Sequence, residues 1–171
     1  MSKISTQFVA VPAIRHTSRL RDLKPYRPED AGPHIDLALD ANEGAPPSSA
    51  LLDVLRSATA EELRRYPKPG ELEGRIAERW HVAAERVVVT NGGDDAIDRA
   101  CRALLEPGRV LLTHTPTFEM IRRSAALAGG EVRPVPWLDR PFPAEEFVGC
   151  LSAATAMVCL VSPNNPTGGV N

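Results

Sequence analysis

Apolar positions recur along this chain in two rhythms, one helical and one alternating. Leu51, Leu52 and Leu55 follow Ser48 and Ser49 at helical spacing, which predicts a helix capped by Ser48 or Ser49, reaching about Ala58, with those leucines inward. A second helix is expected from about Glu71 to Trp80, presenting Leu72, Ile76 and either Ala77 or Trp80 on one side. Val87-Val88-Val89 has the β-branched character of a buried strand. Beyond the turn that follows it, Ile97, Ala100, Cys101, Leu104 and Leu105 fall on one helical face. Glu106-Pro107-Gly108 stops that helix. A strand over 109–113 comes next, then a helix ending at Gly129-Gly130, a strand over 132–135, a short helix near 144–151 and a strand over 156–161. Such β/α alternation predicts an α/β fold, a mainly parallel sheet with flanking helices. Upstream, residues 35–40 alternate with period two and read as a short strand. Residues 1–33 mix charges and prolines like an extended arm lying on a partner or a neighbouring domain.

Composition narrows the class without naming a chemistry. The 171 residues suffice for one domain with a real core, and a net charge of −2 with 43% hydrophobic residues is that of an ordinary soluble protein. Neither a basic nucleic-acid footprint nor a membrane patch, membrane span or signal pattern is evident, so a cytoplasmic protein that binds neither nucleic acid nor membrane is expected. Cys101, Cys150 and Cys159 lie in apolar segments without metal-type spacing, as small buried hydrophobes would in a reducing compartment. His16, His34, His81 and His114 have no second ligand at metal spacing. Surface or structural roles and no metal site are expected for them.

Three loops bring chemistry into view. Gly92 and Gly93 sit between the Val run and a helix, where bare backbone and unpartnered first-turn N–H groups suit an anion, most naturally a phosphate. Asn-Gly is equally a hairpin signal, and Asp94 could simply cap the helix; the helical pattern that follows disfavours the hairpin. No Gly-x-Gly-x-x-Gly is present, and this turn alone leaves phosphate binding and a ligand-free turn both open. Phe118, after His114-Thr115-Pro116-Thr117, is either core or a ligand platform. Tyr66, in Arg65-Tyr66-Pro67-Lys68-Pro69-Gly70, reads as part of a rigid surface turn with its ring on a proline. Ser162-Pro163-Asn164-Asn165-Pro166-Thr167-Gly168 directly follows a strand, and in open α/β sheets ligands bind beyond strand C-terminal ends.

Taken in order, Leu39-Asp40-Ala41-Asn42-Glu43, Arg65-Tyr66-Pro67, Asn91-Gly92-Gly93-Asp94-Asp95, Pro116-Thr117-Phe118 and Ser162-Pro163-Asn164-Asn165-Pro166-Thr167-Gly168 resemble the fold-type I aminotransferases that use pyridoxal 5'-phosphate, and most the histidinol-phosphate group among them. The resemblance runs from about residue 35 to the end. It implies that the amides of Gly92, Gly93 and Asp94 hold the cofactor phosphate and that Phe118, where the family usually has tyrosine, stacks on the pyridine ring. Asn165 would donate to the phenolic oxygen, and Tyr66 would reach the phosphate in the other subunit of a homodimer. Asn42 and Glu43 would line the pocket for a small amino-acid or amino-alcohol phosphate. The implied reaction is transamination.

The same resemblance implies what is missing. The Schiff-base lysine, the aspartate at the pyridine nitrogen and the substrate arginine follow the Asn165 loop in the family, whereas the lysines here are Lys3, Lys24 and Lys68, none in that context. The expectation is therefore the N-terminal part of a larger enzyme, with no catalytic residue of its own and inactive alone. Residues 1–43 would form an arm and the start of the small domain, and 44–171 an incomplete cofactor-binding large domain, poorly soluble by itself. Gly44-Ala45-Pro46-Pro47 stands where the family commonly has asparagine, proline and an aromatic residue, which weakens histidinol phosphate as substrate and keeps a threonine-phosphate decarboxylase as the alternative. A non-catalytic cofactor-binding or dimer-forming module and an unrelated nucleotide-binding domain are the competing classes.

Overall fold

The structure, a computed structural model, describes residues 17–21, 23–25 and 45–170. The expected strand over 35–40, the pair Asn42 and Glu43, and the expected boundary at residue 43 lie outside the described residues. The chain divides into two compact units, Pro25–Val89 and Thr90–Asn171 together with Met1–Lys24.

In the first unit, helix α1 (Ser49–Arg56) begins at Ser48, whose hydroxyl accepts the Leu51 N–H. Helix α2 (Ala60–Leu63) is a single turn that the apolar pattern did not reveal. It is held by a reciprocal box in which Thr59 Oγ1 accepts the Glu62 N–H and the Glu62 carboxylate accepts the Thr59 N–H. Its signal is the Thr-x-x-Glu spacing, not hydrophobicity. Helix α3 (Gly70–Trp80) buries Ala77, whereas Trp80 is 71% exposed. Leu51, Leu52 and Leu55 are exposed rather than inward. Periodicity identifies an apolar face, not what covers it. The expected strand at 87–89 is also corrected. Val87 is extended (φ −115°, ψ 130°), but the Val89 N–H donates to Glu73 Oε1 at 3.0 Å and no described strand pairs with the segment. β-Branched residues favour extension, and a strand also needs a neighbour.

The second unit carries the α/β order. Helix α4 (Gly92–Leu104) leads to strand β1 (Val110–Thr115), helix α5 (Glu119–Ala128), strand β2 (Glu131–Pro136), helix α6 (Ala144–Gly149) and strand β3 (Thr155–Cys159). The sheet order is β2-β1-β3 and both pairings are parallel, as the alternation predicted. Central β1 is buried from Val110 to His114 because both its faces are covered. Leu111 packs with Cys101, Leu105, Ile121 and Ala125, joining β1 to α4 and α5. Leu112 faces the other way, onto Val135 and Phe147 of α6. Of the predicted α4 face, Cys101 and Leu105 are buried, and Leu104 is turned out. Cys150 and Cys159 are half-buried rather than buried. The described part of the N-terminal arm lies along α5, where Arg19 donates to the Leu127 carbonyl and Arg123 to that of Lys24.

This topology sets the position of the loops. Because β1 and β3 are parallel, the chain leaves both at the same edge of the sheet. Only the turn at 105–109 separates the C-terminus of α4 from the start of β1, so the N-terminus of α4 is directed toward that same edge. Ile97, in the first half of α4, packs into one core cluster with Phe118 and Val161. Among the described residues no helix is long and apolar enough to cross a membrane.

Candidate functional site

The start of α4 is an open helix N-terminus. Gly92 has φ +79°, a conformation that favours glycine, and the Thr90 hydroxyl donates to its carbonyl at 2.9 Å. Asn91 occupies the cap position without a side-chain capping bond, so among the described residues no side chain closes the first turn over the N–H groups of Gly92, Gly93 and Asp94. A Cβ built on Gly93 meets nothing within 4 Å. These bare amides at the positive end of a thirteen-residue helix suit an anion. The nearby negative charge of Asp95 is engaged elsewhere. It accepts from Arg99 Nε at 2.9 Å and from the Asn91 N–H at 2.9 Å, and Arg99 first, then that N–H, hold its carboxyl below the usual carboxylate range.

Beyond β1, Phe118 caps α5 by position. The ring is half-buried, packs against the core and also lines an open cavity of about 420 Å³ with Thr115, Pro116, Arg122 and Pro134. One aromatic residue thus belongs both to the core and to the wall of a cavity.

Beyond β3, the loop is fastened by Asn164, which is 2% exposed. Its Nδ2 donates to the Pro116 carbonyl at 3.0 Å and to Thr167 Oγ1 at 2.8 Å, while its Oδ1 accepts from Thr117 Oγ1 at 3.1 Å. Its main chain closes the loop, the Asn164 N–H donating to the Gly169 carbonyl at 2.7 Å and the Gly168 N–H to the Asn164 carbonyl at 2.6 Å. Gly169 must lack a side chain, since a Cβ there would stand 2.9 Å from Trp137 Cζ2. Asn165, the residue expected to meet the cofactor, is half-buried on this loop.

The structure therefore brings the Phe118 and Asn165 loops together through Asn164 and Thr117, residues to which the sequence reading gave no role. The adjacent pair Asn164-Asn165 was the available signal, two carboxamides side by side of which one ties the loop. His114, expected in a surface or structural role, is fully buried on β1 and structural. Its Nε2 accepts the Val161 N–H at 3.2 Å, and Trp137 stands edge-on at 4.9 Å. Burial pushes its pKa below the usual histidine range. Tyr66 belongs to the other unit and is 93% exposed, so its ring does not pack on a proline as the sequence had suggested. Asn42 and Glu43 lie outside the described residues.

The family model for aminotransferases of class I and II matches residues 33–170. This chain belongs to that family. Similar curated proteins include the histidinol-phosphate aminotransferase of Geobacillus thermodenitrificans, 31% identical over 160 residues, and that of Halorubrum lacusprofundi, 35% identical over 166. Each alignment spans 88% of this chain but only 44% and 45% of the relative, so the chain spans less than half the length of the curated relatives it matches. Among solved structures, a Thermus thermophilus aspartate aminotransferase mutant is similar at TM-score 0.73 and 25% identity, over 92% of this chain and 47% of that one. The Sinorhizobium meliloti histidinol-phosphate aminotransferase in complex with pyridoxal-5'-phosphate shares the fold at TM-score 0.75 and 23% identity, over 91% of this chain and 44% of its own. The expected aminotransferase α/β fold is the one observed.

Proposed function

We propose that this chain forms the phosphate-binding side of a pyridoxal-phosphate-dependent aminotransferase that acts on histidinol phosphate in histidine biosynthesis. The observation that carries this reading is the uncapped start of α4, directed to the sheet edge where Asn164 fastens the Asn165 loop to the Phe118 loop. Family membership and the names of the relatives support it.

Each residue has a physical task in this reading. The amides of Gly92, Gly93 and Asp94 hold a phosphate by hydrogen bonds and the helix dipole. Phe118 gives the flat ligand an apolar face. The Asn165 carboxamide donates to the phenolic oxygen and favours its ionised form. When bound, pyridoxal phosphate supplies the electron sink that labilises bonds at the α-carbon of an amino substrate. Tyr66 would serve the site of a second copy in a cytoplasmic homodimer, and Asn42 and Glu43 the substrate. None of Lys3, Lys24 and Lys68 follows the Asn165 loop, so this stretch alone is proposed to be inactive.

The test uses the protein as isolated from its source, supplied with pyridoxal phosphate and with either histidinol phosphate plus a 2-oxo acid as amino acceptor or threonine phosphate. Conversion of histidinol phosphate to its keto product supports the reading. Release of carbon dioxide from threonine phosphate instead replaces the substrate assignment. Failure to bind the cofactor overturns the reading altogether.

A further inference from the structure

The chain leaves β3 at a point where side chains of β1 take over from the ladder. The last main-chain pairing between these strands sets Thr113 opposite Cys159, while β1 continues to Thr115. Thr113 Oγ1 donates to the Cys159 carbonyl at 2.8 Å, and two residues later the Val161 N–H donates to His114 Nε2 at 3.2 Å. Val161 stands four residues before Asn165. We propose that His114 is a positioning residue for Asn165: its neutral imidazole holds the Val161 N–H and thereby sets the course of the chain into the Asn165 loop.

The donor fixes the tautomer. A ring nitrogen that accepts a hydrogen bond carries no proton, so the single proton of His114 is on Nδ1, and an imidazolium would turn N–H against N–H at Val161. The surroundings favour the neutral ring. His114 is fully buried, with Trp137 and Phe142 edge-on at 4.9 and 6.4 Å, and no charged side chain shifts it among the described residues. Among the described residues its Nδ1 has no hydrogen-bond partner of ordinary geometry. The Pro116 carbonyl acts on the ring against the larger effect of burial. That Pro116 carbonyl also receives Asn164 Nδ2, so His114 and Asn164 bear on the two ends of one short segment, before and at the site of Asn165. Simple core filling would explain the burial of a ring, but not an unprotonated nitrogen directed at the Val161 N–H just past the end of β3.

The link from His114 to cofactor affinity rests on the function proposed above; the tautomer and the hold on Val161 do not. The test therefore has two parts, both on the protein as expressed in its source. Without cofactor, imidazole ¹⁵N shifts are followed over about pH 5 to 8, together with hydrogen exchange at Val161. His114 is expected to show Nε2 unprotonated and Nδ1 protonated, with slow exchange at Val161. A proton on Nε2, or unprotected exchange at Val161, overturns the proposal. In the second part, pyridoxal phosphate affinity is compared for H114Q, whose Oε1 can still accept from Val161, and H114L, which cannot. H114L is expected to weaken binding about tenfold and H114Q no more than about threefold, as loss of one buried hydrogen bond implies. Equal weakening by both substitutions assigns His114 to packing alone and overturns its positioning role. If the wild-type protein binds no pyridoxal phosphate, the cofactor reading fails, while the tautomer and the exchange at Val161 still decide whether His114 holds the loop.

Discussion

Two adjacent asparagines divide the labour of this site. Asn165 is half-buried on the loop and is the one proposed to meet the cofactor, while Asn164 has its donors and acceptor satisfied inside the protein. Replacing Asn164 with alanine leaves the half-buried Pro116 carbonyl without that donor and removes three hydrogen bonds of a buried side chain, so Asn164→Ala is expected to lower unfolding stability by about 1–3 kcal/mol in denaturant titration. Both residues belong to the sequence motif, but their roles part only in three dimensions, because nothing in a string of letters tells which carboxamide is turned inward. His114 shows the same limit. It occupies the fifth place in a buried strand, yet the lack of a second histidine at metal spacing suggested only a surface or structural role. Its pKa is lowered by burial from an ordinary value near 6.5, so the unfolded chain takes up a proton more readily than the folded one. Its contribution to stability is then complete above the ordinary histidine range and is lost as pH falls through the lower folded value. Thermal melts at a series of pH values should show this acid-side loss in the wild type and a flatter profile in H114Q. An unchanged profile would contradict the assignment.

Among the elements, α4 and the parallel β/α order were readable because each depends on local periodicity and strong stops. Gly129, with φ +89°, ends α5 where the sequence predicted. The valine run before α4 was not readable as it stands, since a strand is defined by a neighbour and the Val89 N–H found Glu73 instead. Helix α2 was missed because its evidence is a capping pair four residues long, below the reach of an apolar period. The turn into α4 yields a sharp comparison between neighbours. Gly92→Ala forces a positive φ on a side chain and should destabilise by about 1–2 kcal/mol. Gly93→Ala meets open space and should cost no stability, so any loss of phosphate affinity it causes reports on the ligand rather than on the fold. Chemical denaturation and phosphate titration of the two variants check this directly.

The described surface carries many large apolar side chains, among them Val54, Leu55 and Leu63 on α1 and α2, Trp80 on α3, and Val158 and Leu160 at and just past β3. Strand β3 pairs with β1 on one side only among the described residues. Surfaces of this kind bind other apolar surfaces, so the 171-residue chain by itself is expected to bind a hydrophobic dye and to self-associate on sizing columns as concentration rises. A monomeric chain with no dye binding and a cooperative melt would contradict this. The composition had not revealed it, because 43% hydrophobic content is ordinary and only the fold shows how much of it stays outside.

The most direct test is a pyridoxal phosphate titration of the isotopically labelled protein, following the amides of Gly92, Gly93 and Asp94 together with the side-chain NH₂ of Asn165. If one ligand bridges the start of α4 and the β3 loop, all four signals shift along a single binding curve, and inorganic phosphate shifts only the three amides. Signals from Asn165 and Gly93 that follow different curves, or do not respond, would show that the two places serve no common ligand.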